Sequence, residues 1–96
     1  MNRQEIEKII TDYLISYQVK DISIFGSYAR MEATESSDID ILVRFKKTPS
    51  LLKMIMIENE LSEKLGLKVD LLTEAAIKNK IIRNNIEKDL QIIYHA

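Results

Sequence analysis

Apolar residues recur at helical spacing near the start of the chain, at Ile6, Ile9, Ile10, Tyr13, Leu14 and Tyr17, with charged residues between them. Such a stripe predicts an amphipathic helix whose inner face covers a sheet. The period then changes. Val19 through Phe25 predicts a short strand with Ile22 and Ile24 on one face; it stops at Gly26-Ser27, where a brief helix follows. Ser36-Ser37 breaks that helix, and Asp38 through Phe45, rich in branched apolar residues, predicts a second strand. Thr48-Pro49 reads as the cap and first residue of a helix running to about Leu65, with Gly66 as its stop. Lys68 to Leu72 is a third strand, and Thr73 with Glu74 opens more helix. That helical pattern fades near Glu87 to Asp89, and Leu90 through Tyr94 is suited to a closing strand. With no repeat, linker or low-complexity stretch, the alternation predicts one α/β domain over residues 1–96.

Composition narrows the partners. With 96 residues, 46% of them hydrophobic, there is material for one core and little for a second module. A net charge of -1 argues against a domain that wraps a phosphate backbone, so nucleic acid is not the expected acceptor. The absence of cysteine excludes disulfides and thiolate metal sites and permits a reducing compartment. Glu5 and Glu7 sit near the N-terminus, and no apolar run of signal-peptide or membrane-spanning length follows. A cytoplasmic protein without membrane association is the expectation.

The candidate chemistry lies between Gly26 and Asp40. Side chains alternate along a strand, so Asp38 and Asp40 point the same way and come within reach of a shared hard cation. Mg²⁺ takes oxygen ligands and leaves positions for water or substrate phosphates, which suits two carboxylates facing a cleft. A nucleoside triphosphate would complete such a site. Gly26 lets backbone approach a phosphate closely, Ser27 offers a hydroxyl, and the amides opening the next helix add donors and a favourable dipole. Asp70, in an otherwise apolar strand, is the third carboxylate expected beside the other two.

Plainer readings stand beside these. A Gly-Ser turn after a strand is common, and an Asp-x-Asp pair often marks a solvated strand end. Here Ile39, Ile41, Leu42 and Val43 put the pair in or next to a buried strand, where unpaired carboxylates are costly. Arg30 is either a phosphate ligand or a surface charge paired with Glu32. His95 reads as a terminal surface residue, Tyr13, Tyr17 and Tyr28 as packing or rim residues, and Lys46-Lys47 as a solvated turn.

Gly26-Ser27, ten intervening residues, then Asp38-Ile39-Asp40 resembles the signature of the DNA polymerase β-like nucleotidyltransferases, and Val69-Asp70-Leu71 resembles their third-carboxylate strand. The whole chain is similar to the minimal nucleotidyltransferase (MNT) antitoxins, which pair with HEPN-domain RNase toxins. Arg30 and Glu32 fall where this family often has Ala-Arg-Gly-Glu, with Met31 in place of the common Gly and no catalytic group missing. The resemblance implies the polymerase β-like α/β (α+β) fold, a small mixed sheet with helices packed against it. It implies a two-metal reaction: Asp38 and Asp40 bridge two Mg²⁺ ions, Asp70 ligates one of them and helps accept the acceptor proton, and Gly26 and Ser27 hold the β- and γ-phosphates. The implied donor is ATP, and the implied acceptor is a tyrosine of the HEPN toxin.

Leu51, Leu52, Met54, Ile55, Met56 and Ile57 run almost without interruption along one predicted helix, more than one sheet covers. They form either a second apolar surface for a protein partner in a hetero-oligomer or a helix buried between the sheet and another helix. Two rival functions differ in kind. One is a small-molecule nucleotidyltransferase of the antibiotic-modifying type, which would need a partner to supply the helical domain absent here. The other is a non-catalytic antitoxin that acts by occlusion.

Overall fold

The structure, a computed structural model, describes residues 2–34 and 37–96. Ser36, half of the expected break before the second strand, lies outside the described residues together with Glu35 and Met1. Helix α1 (Arg3–Leu14) is opened by Asn2, whose side-chain oxygen accepts from the Glu5 N–H at 2.8 Å. It buries Ile6, Ile10 and Leu14. Tyr17, the last member of the predicted helical stripe, falls instead in a separate 3-10 turn, Ile15–Tyr17. Gln18 closes that turn at φ 57, a left-handed conformation that turns the chain into strand β1 (Val19–Phe25). The brief helix after Phe25 is a single turn, α2 (Gly26–Ala29). Strand β2 (Ile39–Phe45), helix α3 (Leu51–Leu65), strand β3 (Val69–Thr73), helix α4 (Lys80–Asp89) and strand β4 (Gln91–His95) complete the order.

Two helix starts differ from expectation. Ser50, not Thr48, caps α3: its hydroxyl oxygen accepts from the Lys53 N–H at 3.2 Å, and Pro49 stays outside the helix. A serine hydroxyl two residues further on satisfies an orphan N–H and so outcompetes the Thr-Pro start. After β3, Glu74–Ala76 form only a 3-10 turn, and α4 begins once Asn79 accepts from the N–H groups of Ile81 (2.8 Å) and Ile82 (3.4 Å).

The sheet is mixed, in the order β3-β2-β1-β4. Strand β1 runs antiparallel to β2 and to β4, while β2 and β3 are parallel. Parallel neighbours cannot be joined by a hairpin, and α3 supplies the crossover. One face of the sheet carries Ile22, Ile24, Ile39, Ile41, Val43, Val69 and Leu71, packed with Ile6, Ile10 and Leu14 of α1 and Ile57, Leu61 and Leu65 of α3. On the other face Phe25, Leu42 and Leu72 meet Ile77, Leu90 and Ile86 of α4. This smaller cluster leaves Asp40 and Asp70 only partly covered.

Helix α3 resolves the two readings of its apolar run. Ile57 is fully buried, but Leu51 and Leu52 keep 77% and 81% of their surface, and Ile55 and Met56 are also exposed. Apart from Ile57, only Met54 of this apolar run packs against the main core. Among the described residues no helix is long and apolar enough to cross a membrane.

Candidate active site

Strand alternation builds the centre of the site. Ile39 and Ile41 of β2, and Val69 and Leu71 of β3, turn into the core, so Asp40 and Asp70 emerge on the opposite face. The parallel register makes Asp40 and Asp70 direct partners, within hydrogen-bonding reach of each other. Asp38 precedes β2, and its Oδ2 lies 3.8 Å from Nζ of Lys68, which precedes β3. Burial pushes the Asp40 carboxyl above its ordinary range, the negative charges of Asp70 and Asp38 push the same way, and the Arg30 guanidinium pulls against them. The three carboxylates expected to converge therefore feel one another, with Asp40 as the crowded member.

On the other side of β2, Asp40 pairs in register with Phe25, which brings Gly26 against the carboxylate. Gly26 has φ +72, and a Cβ there would lie 2.3 Å from Oδ2 of Asp40. The glycine is thus required by the carboxylate as well as by the turn, a constraint beyond the close phosphate approach expected from sequence. Ser27 follows, half-buried at the mouth of α2. With one turn, α2 offers first-turn N–H groups that no side chain among the described residues caps, but little of the dipole expected from a longer helix.

The loop after α2 is fixed by its backbone. The Arg30 N–H donates to Gly26 O at 3.1 Å, the Met31 N–H to Tyr28 O at 3.2 Å, and the Glu32 N–H to Ser27 O at 2.9 Å. Met31, at the position where the resembled family commonly has Gly, adopts a left-handed φ of 61. Arg30 pairs with Glu32 (3.2 Å), as the plainer reading had it, and also with Asp89 at the end of α4 (2.6 Å). It remains close enough to Asp40 to act on its charge.

Other contacts had no signal in the sequence. Gln91 Nε2 donates to the Ala29 carbonyl at 2.9 Å, and Arg3 Nη2 donates to Gln91 Oε1, so the two ends of the chain hold α2 from behind. These partners are far apart in sequence and only the folded sheet brings them together. Tyr13 and Tyr17 stack edge to face, 5.6 Å between ring centroids, with the Tyr13 hydroxyl on Glu60 of α3. They are packing residues, and His95 is an exposed residue of β4.

Among the described residues no three carboxyl groups converge as a ready-made metal cage. The donor set nevertheless fits a hard divalent cation. Asp40 and Asp70 are side by side with Asp38 flanking, Asp40 is raised by burial and then by their repulsion, and Mg²⁺ characteristically uses one or two carboxylates and completes its shell with phosphate and water.

Residues 4–93 match the family model described as the nucleotidyltransferase domain. A protein of Methanocaldococcus jannaschii named as a protein adenylyltransferase is 60% identical over 74 residues, which span 77% of this chain and 76% of that one. Among solved structures, a toxin-antitoxin crystallised with AMP-PNP superimposes with a TM-score of 0.82 at 22% identity, over 94% of this chain and 73% of the matched one. The complex of a tri-AMPylated Shewanella oneidensis HEPN toxin with its MNT antitoxin does so with a TM-score of 0.79 at 21% identity, over 99% and 74%. The family match spans nearly the whole chain, carboxylate strands and Gly-Ser turn included, and on that ground the chain belongs to the nucleotidyltransferase domain family and is a nucleotidyltransferase.

Proposed function

We propose that this protein is an antitoxin that transfers AMP from ATP to a tyrosine of a HEPN-domain toxin, in the cytoplasm and with Mg²⁺. The observation that carries this reading is the register pairing of Asp40 with Asp70 and the contact of Asp40 with the Gly26-Ser27 turn. Its similarity to a protein adenylyltransferase supports the reaction, and its fold likeness to an MNT antitoxin bound to an AMPylated HEPN toxin supports the acceptor.

Ser27 and the first-turn N–H groups of α2 hold the terminal phosphates, and Gly26 keeps that approach clear of side-chain bulk. Asp38, Asp40 and Asp70 are the residues that would hold Mg²⁺, two ions in the full reaction. Bound there, the metal supplies charge neutralisation on the triphosphate and acidifies the attacking hydroxyl. Asp70, the outer carboxylate of the group, accepts the proton as the acceptor oxygen bonds to the α-phosphorus. The bond from the α-phosphorus to the bridging oxygen breaks, and pyrophosphate leaves. Arg30 is the residue suited to balance phosphate charge, after exchanging Glu32 or Asp89 for an anionic ligand. AMP on the toxin adds bulk and negative charge where RNA phosphates bind, so toxin activity falls.

The test is incubation of the purified protein with Mg²⁺, α-labelled ATP and a HEPN toxin, reading the label by gel and mass spectrometry. Label on a toxin tyrosine, lost in the Asp38→Ala/Asp40→Ala double variant, is the expected result. A stable complex that carries no label with any triphosphate would leave occlusion as the mode of action.

A further inference from the structure

Strand β3 is an edge strand of five residues with one neighbour, yet it carries Asp70. A parallel edge strand leaves every second N–H without a sheet partner, and such edges slip or fray unless something covers them. Here the cover comes from α3. The Val69 N–H donates to Ser62 Oγ at 3.0 Å, and the Leu71 N–H donates to Glu58 Oε2 at 2.8 Å. Both bonds are partly buried, and they flank Asp70 on either side.

The two acceptors lie one helical turn apart on the same face of α3. Ser62 Oγ also donates to the Glu58 carbonyl at 2.8 Å, which fixes the hydroxyl's orientation so that its lone pairs meet Val69. Just beyond, the N–H groups of Gly66 (2.9 Å) and Leu67 (3.3 Å) close on the Ser62 carbonyl, so the helix end and the strand start are tied at the same residue. Glu58 offers a carboxylate to a backbone N–H, a stronger acceptor than a neutral group. A shift of one residue in β3 would turn Asp70 into the core and present Leu71 to the cleft.

We propose that Glu58 and Ser62 are positioning residues for the transfer reaction: as side-chain substitutes for a missing neighbour strand, they pin β3 in the register that sets Asp70 opposite Asp40. Both residues reach β3 through its backbone N–H groups on either side of Asp70. The catalytic consequence rests on the proposed function, whereas the pinning itself stands on the two hydrogen bonds.

The experiment compares Glu58→Ala, Glu58→Gln and Ser62→Ala in the full chain, with two readouts. The first is amide hydrogen exchange at Val69 and Leu71, with cross-strand contacts between β2 and β3 followed by NMR. The second is AMP transfer resolved into kcat and KM for ATP. Glu58→Ala is expected to speed exchange at Leu71 while the global unfolding midpoint stays within a few degrees. It should lower kcat by about 10- to 100-fold, the scale of a small misplacement of a reacting group. KM for ATP should stay within about twofold, because Gly26 and Ser27, which hold the phosphates, lie in α2 after β1 and not on β3. Ser62→Ala, the milder change, is expected to act in the same direction at Val69. Glu58→Gln keeps an acceptor oxygen and should restore both readouts. An unchanged kcat in Glu58→Ala despite faster exchange would overturn the positioning role, and unchanged exchange would overturn the pinning itself. If the parent protein transfers no AMP, the proposed function fails, and exchange and cross-strand contacts still decide whether β3 is pinned.

Discussion

Gly26 and Asp40 occupy the same small space: a Cβ on the glycine would sit 2.3 Å from Oδ2 of the aspartate and 3.3 Å from its Cγ. The Gly26-Ser27 turn and the strand that carries Asp40 are therefore in direct contact, and neither can change shape alone.

Gly26→Ala consequently strains the chain twice. The left-handed φ of +72 costs an L-residue roughly 1–2 kcal/mol, and the methyl group displaces the Asp40 carboxylate. The expected outcome is a stability loss of that order by urea unfolding, and a loss of AMP transfer of about 100-fold or more. Retention of full activity would mean that the Asp40 carboxylate tolerates displacement.

Met31 is 81% exposed and left-handed, so its side chain contributes little packing while its backbone conformation is strained. Met31→Gly should stabilise the protein by about 1 kcal/mol, a rise of roughly 4–8 °C in thermal midpoint for a domain of this size. A branched residue such as Val at the same position should lower it.

The Asp40 carboxyl ionises at higher pH in the folded chain than in the unfolded one, mainly through burial and then through Asp70 and Asp38. Between the unfolded value, about 3.9, and the raised folded value, the native state binds more protons, so stability falls as pH rises through that interval. Asp40→Asn should therefore melt higher than the parent at pH 7 without metal, and the gap should close as pH falls to about 3.9. Mg²⁺ with ATP should stabilise the parent and narrow the gap at neutral pH. Transfer by the variant should be abolished at every pH. Equal melting of the two proteins at pH 7 would count against crowding of the carboxylates.

Arg30 tests whether its ion pairs are its purpose. Its side chain is 42% exposed, and exposed pairs are worth about 0–1 kcal/mol, so Arg30→Ala should change the unfolding midpoint little. KM for ATP is expected to rise about tenfold, equivalent to one charge-assisted phosphate contact. Glu32→Gln should leave KM unchanged. A drop in stability with no change in KM would assign Arg30 to holding α4 through Asp89 alone.

Much of this molecule was legible along the chain because periodicity is a local property of backbone geometry. The stripe at Ile6, Ile10 and Leu14, the alternation through Ile39 and Ile41, the stop at Gly66 and the sequence Gly26-Ser27…Asp38-Ile39-Asp40 each report on neighbours within a turn or a strand. They determined the order of elements, their faces and the candidate carboxylates. Where local signals competed, as at Thr48-Pro49 against Ser50, a hydrogen bond to one N–H decided the boundary. The rest belonged to tertiary structure. Asp40 meets Asp70 only because β2 and β3 lie parallel in one register, a choice made by burying Ile39, Ile41, Val69 and Leu71 together. Arg30 could be read as a phosphate ligand or a partner of Glu32, but Asp89 joins it only when α4 folds back beside α2. The uncovered Leu51 and Leu52 likewise reflect how far the sheet and neighbouring helices reach, because hydrophobicity specifies that a side chain favours burial and the shape of the fold decides which ones achieve it.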